Sequence, residues 1–340
     1  MSEILTTKQR LEAFAQLGKI LNKPDHKLTE LIDNAKQFNA WFTPVSAAKA
    51  IEAVSQMLQP EDLEIWMYNI EKETTVQRSV GLILAGNIPL VGFHDILCVL
   101  ASGHKALIKL SSHDLKLIPY VLEQLTEIEP GFKDKIEYVD RLKDFDAVIA
   151  TGSNNTSRYF DYYFSKVPHI IRKNRNSVAI LKGNESGDEL KLLGHDIFDY
   201  FGLGCRNVSK VYVPRDYDFA NLFEGIEIFK PVIDHHKYNN NYDYNKSILL
   251  VNMEKHLDNG FLLVKKDERL TSPLAVLYYQ EYDDINMLEQ ELTEKNEQIQ
   301  CIVSGSWLGL ETVGFGESQQ PRLWDYADGV DTISFLKSIG

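Results

Sequence analysis

Cys205 is the residue of this chain best placed to do chemistry. It stands in Gly202-Leu203-Gly204-Cys205-Arg206-Asn207, directly ahead of a β-like run, Lys210-Val211-Tyr212-Val213-Pro214. The two glycines let the backbone bend tightly and keep bulk away from the sulfur. Arg206 favours the thiolate, the form of cysteine that attacks electrophiles. A small buried hydrophobe is the ordinary role of a cysteine outside a disulfide. That role fits Cys98, in an apolar helix, and Cys301, in an apolar strand, both expected in the core.

Further polar residues fall at the ends of apolar runs. Asn87 lies in Ala85-Gly86-Asn87-Ile88-Pro89-Leu90, and Lys109, Ser111 and Ser112 close the run that begins at Leu107. Thr151-Gly152-Ser153 follows a strand and opens a helix, so it is a plain turn and N-cap or a place where backbone N–H groups meet an anion. Arg172, Lys173 and Arg175 make a locally basic stretch, a solvated turn or an attractor of phosphates. His235-His236 sits among polar residues and is expected at the solvated surface. The chain carries no Gly-x-Gly-x-x-Gly, no Walker-type loop, no His-Glu-x-x-His and no paired-cysteine zinc pattern, and no metal is expected.

The elements that must hold these residues follow from periodicity. Residues 1 to about 72 read as helical, with Leu11, Phe14, Leu17, Ile20 and Leu21 at helical spacing, and Pro60-Glu61-Asp62 opening a further helix. From about residue 79, short apolar strands alternate with helices: strands near 80–85, 105–110, 136–139, 147–150 and 177–181, helices ended by Gly103 and over 115–128 and 155–166. Continuous apolar strands in such alternation predict a doubly wound, mostly parallel sheet, which binds ligands beyond the carboxyl ends of its strands. Later strands are expected at 210–214, 275–280 and 300–303, with helices near 188–200, 217–228 and 283–296. Tyr238 to Asn245, rich in Asn and Tyr, reads as an exposed loop. The division expected is a helical N-terminal extension (1–78), a cofactor-binding Rossmann-type domain (79–182), a catalytic domain (183–318) and a C-terminal tail (319–340).

The order and spacing of four stretches, Ala85 to Leu90, Leu107 to Ser112, Ala150 to Ser153 and Ser177 to Leu181, followed by Cys205, resemble the aldehyde dehydrogenase superfamily. The resemblance spans roughly residues 80–215 and is nearest to the acyl-CoA reductase branch, the family of the fatty-acid reductase component of bacterial bioluminescence. It implies that Asn87 donates its amide to the substrate oxyanion and that Lys109 contacts the adenosine ribose. Where NAD-preferring members carry a Glu on that ribose, this chain has Ser112, preceded by Ser111, which leaves room for a 2′-phosphate and implies NADPH. Thr151, Gly152 and Ser153 correspond to the second cofactor turn, with Ser157 in place of a second glycine. Glu268, ahead of Thr271-Ser272-Pro273, falls near the superfamily's Glu on the nicotinamide ribose.

Hydrolytic members carry a Glu that activates water near position 172; here Arg172 stands at or beside it. An acyl group on Cys205 would then survive hydrolysis and accept hydride. The resemblance therefore implies NADPH-dependent reduction of an acyl-CoA thioester, fatty acyl in this family, with coenzyme A as leaving group. The same architecture serves an acyl-phosphate reductase or an acyltransferase to a thiol, and a non-catalytic assembly subunit is the reading from another class.

A chain of 340 residues accommodates two domains and a sizeable core. The net charge of −13 argues against a nucleic-acid binder. Three distant cysteines cannot close a disulfide framework, and the first residues lack a charged-then-apolar signal pattern, so a reducing, cytoplasmic setting is expected. The apolar window from Val80 to Leu110 is broken by Gly, Pro, Asn and charged residues and is not expected to span a membrane. A homo-oligomer or a complex with an acyl-transfer partner is compatible with what the resemblance implies.

Overall fold

The computed structural model describes residues 5–68, 70, 76–152 and 154–340. The fold is mixed α/β with two largely parallel sheets, as expected from the alternation. The chain divides into two compact units, one of residues up to 174 together with 320–340, the other of 175–319. The sequence placed its boundary at 182/183 and set 1–78 and 319–340 apart. In the structure the first of those segments and residues 320–340 of the second belong to the first unit.

The first unit holds β1 (Ser79–Ile83), β2 (Lys105–Lys109), β3 (Ile136–Tyr138), β4 (Ala147–Thr151) and β5 (His169–Arg172), in the order β3-β2-β1-β4-β5. All pairs are parallel. The chain runs outward from β1 through β2 to β3, then returns to the other side of β1 as β4. That reversal is the topological switch point, where a crevice opens at the carboxyl ends of the strands. The central strands are buried runs such as Val80-Gly81-Leu82 and Ala147 to Ala150, because helices cover them. β5 escaped the sequence reading: His169-Ile170-Ile171-Arg172 is short and polar at both ends.

The N-terminal helices are part of this unit's core. Helix Thr7–Leu21 packs on Pro44–Met57, Pro60–Tyr68 and Leu117–Ile128. Gly18 makes one crossing possible, since a Cβ there would meet Leu58 Cβ at 2.8 Å. The C-terminal helix Thr332–Ile339 packs on Phe93–Ala101, and the Leu336 carbonyl lies 3.0 Å from His104 Nε2. Separating a "tail" from the domain missed these contacts because they join residues over 200 positions apart.

The second unit holds β6 (Asn176–Ile180), β7 (Val208–Pro214), β8 (Leu257–Asp258), β9 (Leu263–Lys266), β10 (Val276–Tyr282) and β11 (Ile299–Val303), in the order β11-β6-β7-β10-β9-β8. Only β8 runs antiparallel, along β9. The stretch expected as an exposed loop is instead helix His236–Val251. Tyr238, Tyr242, Asn245 and Leu249 recur at helical spacing and are buried. Their polar tips find partners: Tyr238 Oη donates to the Phe261 carbonyl (3.0 Å), Tyr242 Oη to Asp258 Oδ1 (2.6 Å) and Asn245 Nδ2 to the Leu274 carbonyl (2.9 Å). Burial of these amphipathic side chains overrides a composition that suggests loop. His235, expected at the solvated surface, is buried, its ring centred 4.4 Å from that of Phe201.

Among the described residues, no helix is long and apolar enough to cross a membrane, and no cluster of His, Cys, Asp or Glu is placed to hold a metal ion.

Candidate active site

The crevice of the first unit is assembled by three loops at the carboxyl ends of β1, β2 and β4. The loop after β1 carries Asn87 and bends sharply at Leu90, whose φ is 58°. A left-handed leucine costs about 1–2 kcal/mol, so something must hold it. Asp114 does: its buried carboxylate accepts the Leu90 N–H at 2.9 Å and, at the start of helix Leu117–Ile128, the Leu117 N–H at 3.3 Å. Burial pushes the Asp114 carboxyl above its usual range, with those N–H groups pulling the other way.

Gly86 brings this loop against the next one. A Cβ at Gly86 would fall 2.4 Å from Ser111 Oγ and 2.7 Å from Ser111 Cβ. Asn39, from the N-terminal helical region, donates to the His113 carbonyl at 3.3 Å. Lys109 stands exposed at the end of β2, followed by half-buried Ser111 and exposed Ser112. Thr151 and Gly152 are half-buried at the end of β4, and helix Asn154–Phe164 begins just beyond them. Ser153 lies outside the described residues.

An exposed cation, small hydroxyls and a helix N-terminus thus lie at the carboxyl ends of these strands, and the missing side chain at Gly86 lets the first two loops close on each other.

Cys205 lies in the second unit, ahead of β7, and is exposed. Its loop is built by unusual backbone geometry: Tyr200 (φ 54°), Phe201 (φ 60°) and Gly202 (φ 76°) are left-handed in succession. Only the glycine accepts this without cost. Tyr200 is buried, the Phe201 ring packs on His235, and Asn207 staples the loop. Asn207 Nδ2 donates to the Asp196 (3.1 Å) and Asp199 (2.8 Å) carbonyls, while its Oδ1 accepts the Gly204 N–H at 2.8 Å. Asp196 is anchored in turn, accepting N–H groups of Gly316 (2.7 Å) and Ser318 (3.0 Å), and burial pushes its carboxyl up to about 6.

Ser177 adds a contact to the backbone of Cys205 itself. Its Oγ donates to the Cys205 carbonyl at 2.9 Å and lies 3.1 Å from Cys301 Sγ. Cys301 is therefore no core residue. It is half-buried at an irregular point of β11 and shares a hydroxyl with the Cys205 loop. Cys98 is fully buried, and burial raises its thiol well above the ordinary value, so it is unsuited to attack. Ser177→Ala removes one hydrogen bond and should lower stability by about 1 kcal/mol. Denaturant unfolding of the two proteins checks this; an unchanged midpoint would mean the loop is set elsewhere.

The basic cluster is corrected by the structure. Arg172 is buried, with Nε on Asp95 Oδ2 (3.0 Å), Nη2 on Asp95 Oδ1 (2.6 Å) and Nη1 on the Ala327 carbonyl (2.6 Å). Burial disfavours its charge, but Asp95 more than offsets this and holds the guanidinium protonated. It cannot serve an external phosphate. Lys173 remains exposed, and Arg175 turns to carbonyls of its own unit at 3.3 and 3.4 Å. Glu268 is exposed in the second unit. Sequence reasoning missed the parts played by Asp114, Ser177 and Asn207; Ser177, which opens the stretch Ser177 to Leu181, and Asn207, two residues past Cys205, lay within motifs already singled out.

No protein-family model matches the chain, and no curated protein matches it. Solved structures do. Aldehyde dehydrogenase 21 from Physcomitrella patens, in complex with the reaction product succinate, superposes with a TM-score of 0.69 at 12% identity, covering 98% of this chain and 84% of the other. An NADP-dependent glyceraldehyde-3-phosphate dehydrogenase from Bacillus halodurans, complexed with NADP, gives 0.61 at 14% identity, covering 88% and 74%. A mutant of aldehyde dehydrogenase C from Pseudomonas syringae, complexed with NAD+ and octanal, gives 0.58 at 13% identity, covering 83% and 69%. The chain has the aldehyde dehydrogenase-like fold.

Proposed function

We propose that this chain is a nicotinamide-dependent oxidoreductase of the aldehyde dehydrogenase type, and within that type an NADPH-dependent acyl-CoA reductase acting on fatty acyl thioesters in a reducing, cytoplasmic setting. The observation that carries the reading is the exposed Cys205 thiol on a rigidly stapled turn. The side chain at position 172, at or beside the hydrolytic position, is a guanidinium sequestered by Asp95.

Cys205 attacks the thioester carbonyl as thiolate, the C–S bond to coenzyme A breaks, and coenzyme A leaves as thiolate. Asn87 donates its amide to the oxyanion of the tetrahedral intermediate. Arg172 offers no base to deprotonate water, so the acyl-cysteine persists. Lys109, Ser111, Ser112, Thr151, Gly152 and Ser153 would hold the dinucleotide, Lys109 and the neutral Ser112 would accommodate a 2′-phosphate, and Glu268 would bind the nicotinamide ribose. NADPH, when bound, supplies the hydride. With hydride and a proton gained, the acyl-cysteine becomes a hemithioacetal, which collapses to aldehyde and restores the Cys205 thiol.

The kinship in fold with proteins solved with NAD+ or NADP supports the cofactor class. The test mixes the protein with NADPH and, in parallel, an acyl-CoA, an acyl phosphate and a free fatty acid. NADPH absorbance should fall with stoichiometric aldehyde and thiol release only for acyl-CoA. Turnover with acyl phosphate alone moves the substrate class, and no acyl adduct with any donor makes the chain non-catalytic.

A further inference from the structure

Lysine is almost never fully buried without a partner, yet Lys210 on β7 has no exposed surface. Its Nζ donates to the Glu268 carbonyl at 2.9 Å and to Gln280 Oε1 at 2.7 Å, and lies 4.7 Å from the centre of the Tyr212 ring. Among the described residues no carboxylate lies within ion-pair distance of it. Its charge is thus directed at two neutral oxygens, and an ammonium on a carbonyl makes a strong, charge-assisted bond. The preceding residue acts alike: Ser209 Oγ donates to the Leu270 carbonyl at 2.7 Å. Asp267, one position before Glu268, is held by the Arg269 N–H at 3.0 Å and guanidinium at 2.8 Å. The segment 267–270 is pinned on both sides of Glu268, while Glu268 itself remains exposed. Burial draws the Lys210 ammonium down to about 8, with Lys295 adding to the effect and the carboxylates of Glu291, Asp267 and Glu268 opposing it.

We propose that Lys210 is the positioning residue for Glu268: its buried ammonium grips the Glu268 carbonyl and thereby sets the carboxylate for the nicotinamide ribose. The inference rests on the role given to Glu268 above. A lysine needed only for the fold would, when replaced, lower stability and harm every function alike. A positioning lysine weakens cofactor affinity and leaves attack by Cys205 alone.

The test measures NADPH affinity by fluorescence titration, Cys205 acylation by intact mass, and melting temperature. Lys210→Gln should raise the NADPH Kd about tenfold, the weight of one charge-assisted bond, with the acylation rate unchanged. Lys210→Arg should restore most of the affinity. Glu268→Gln should weaken NADPH to a similar degree, and the double variant should bind no worse than either single one. If Lys210→Gln does not fold, Gln280→Glu draws the ammonium into an ion pair at nearly constant volume and should raise the Kd about threefold. Four results overturn the proposal: wild-type NADPH affinity in Lys210→Gln, or in Gln280→Glu; parallel loss of affinity, acylation and melting temperature; or multiplicative weakening in the double variant. Wild-type affinity in Glu268→Gln instead removes the ribose contact itself, a failure of the functional reading that the other measurements tell apart.

Discussion

Cys205→Ala should abolish acyl transfer to the protein while leaving its fold in place. After exposure to an acyl-CoA, intact-mass spectrometry should find one acyl group on the wild type and none on the variant. NADPH oxidation should fall by at least about 10⁴-fold, the usual cost of removing a covalent nucleophile. Stability should change by no more than about 0.5 kcal/mol, because the side chain is exposed and leaves no cavity. Asn207 and Ser177 hold the loop through the Gly204 N–H and the Cys205 carbonyl, backbone groups that alanine retains. The buried thiol of Cys98 survives in the variant, so an adduct of equal mass on both proteins would show that the acyl group goes elsewhere and would remove Cys205 as nucleophile.

The sequence revealed the sheets better than the supports of the site. Val80 to Leu84 and Ala147 to Ala150 are continuous apolar runs, which burial on both faces demands, so their strands could be read directly. Lys109 and Thr151 fall at strand ends for the same reason, and their placement beside the switch point follows from parallel topology. Helix His236–Val251 could not be read by composition, since its buried face is made of Tyr and Asn, whose burial depends on distant acceptors at Asp258, Phe261 and Leu274. The left-handed pair Tyr200-Phe201 leaves no local signature, because bulky aromatic residues adopt that backbone only when their surroundings compel it. Asp114, Ser177 and Lys210 act through backbone carbonyls and N–H groups of other segments, and such bonds carry no residue-type signal at the far end. Asp95 meets Arg172 across 77 positions, so a stretch that reads as a basic surface patch became a buried pair.

That pair carries the largest stability effect expected in the molecule. Asp95→Ala leaves the Arg172 guanidinium buried with carbonyl and hydroxyl partners, the Ala327 oxygen at 2.6 Å and Thr332 Oγ1 at 2.9 Å, but without its two-point carboxylate partner, and the weaker pull of Asp328 does not replace it. Breaking a buried ion pair on one side costs about 3–5 kcal/mol, which for a unit of this size lowers the melting temperature by about 10 °C. Replacing both partners, Asp95→Leu with Arg172→Met, removes the uncompensated charge and should recover most of the loss. Calorimetry on the wild type, the single variant and the double variant checks both statements; a double variant no more stable than Asp95→Ala would mean the damage is one of packing. The same proteins separate structure from chemistry. Arg172 reaches from the end of β5 to helix Phe93–Ala101 and to Thr332 in the C-terminal helix, so the pair ties three elements of the first unit together. If its role is that tie, and Asp95 never serves as a base for water, the acyl group on Cys205 should last as long in Asp95→Ala, measured well below its melting temperature, as in the wild type. A lengthened lifetime would make Asp95 the hydrolytic carboxylate that position 172 lacks.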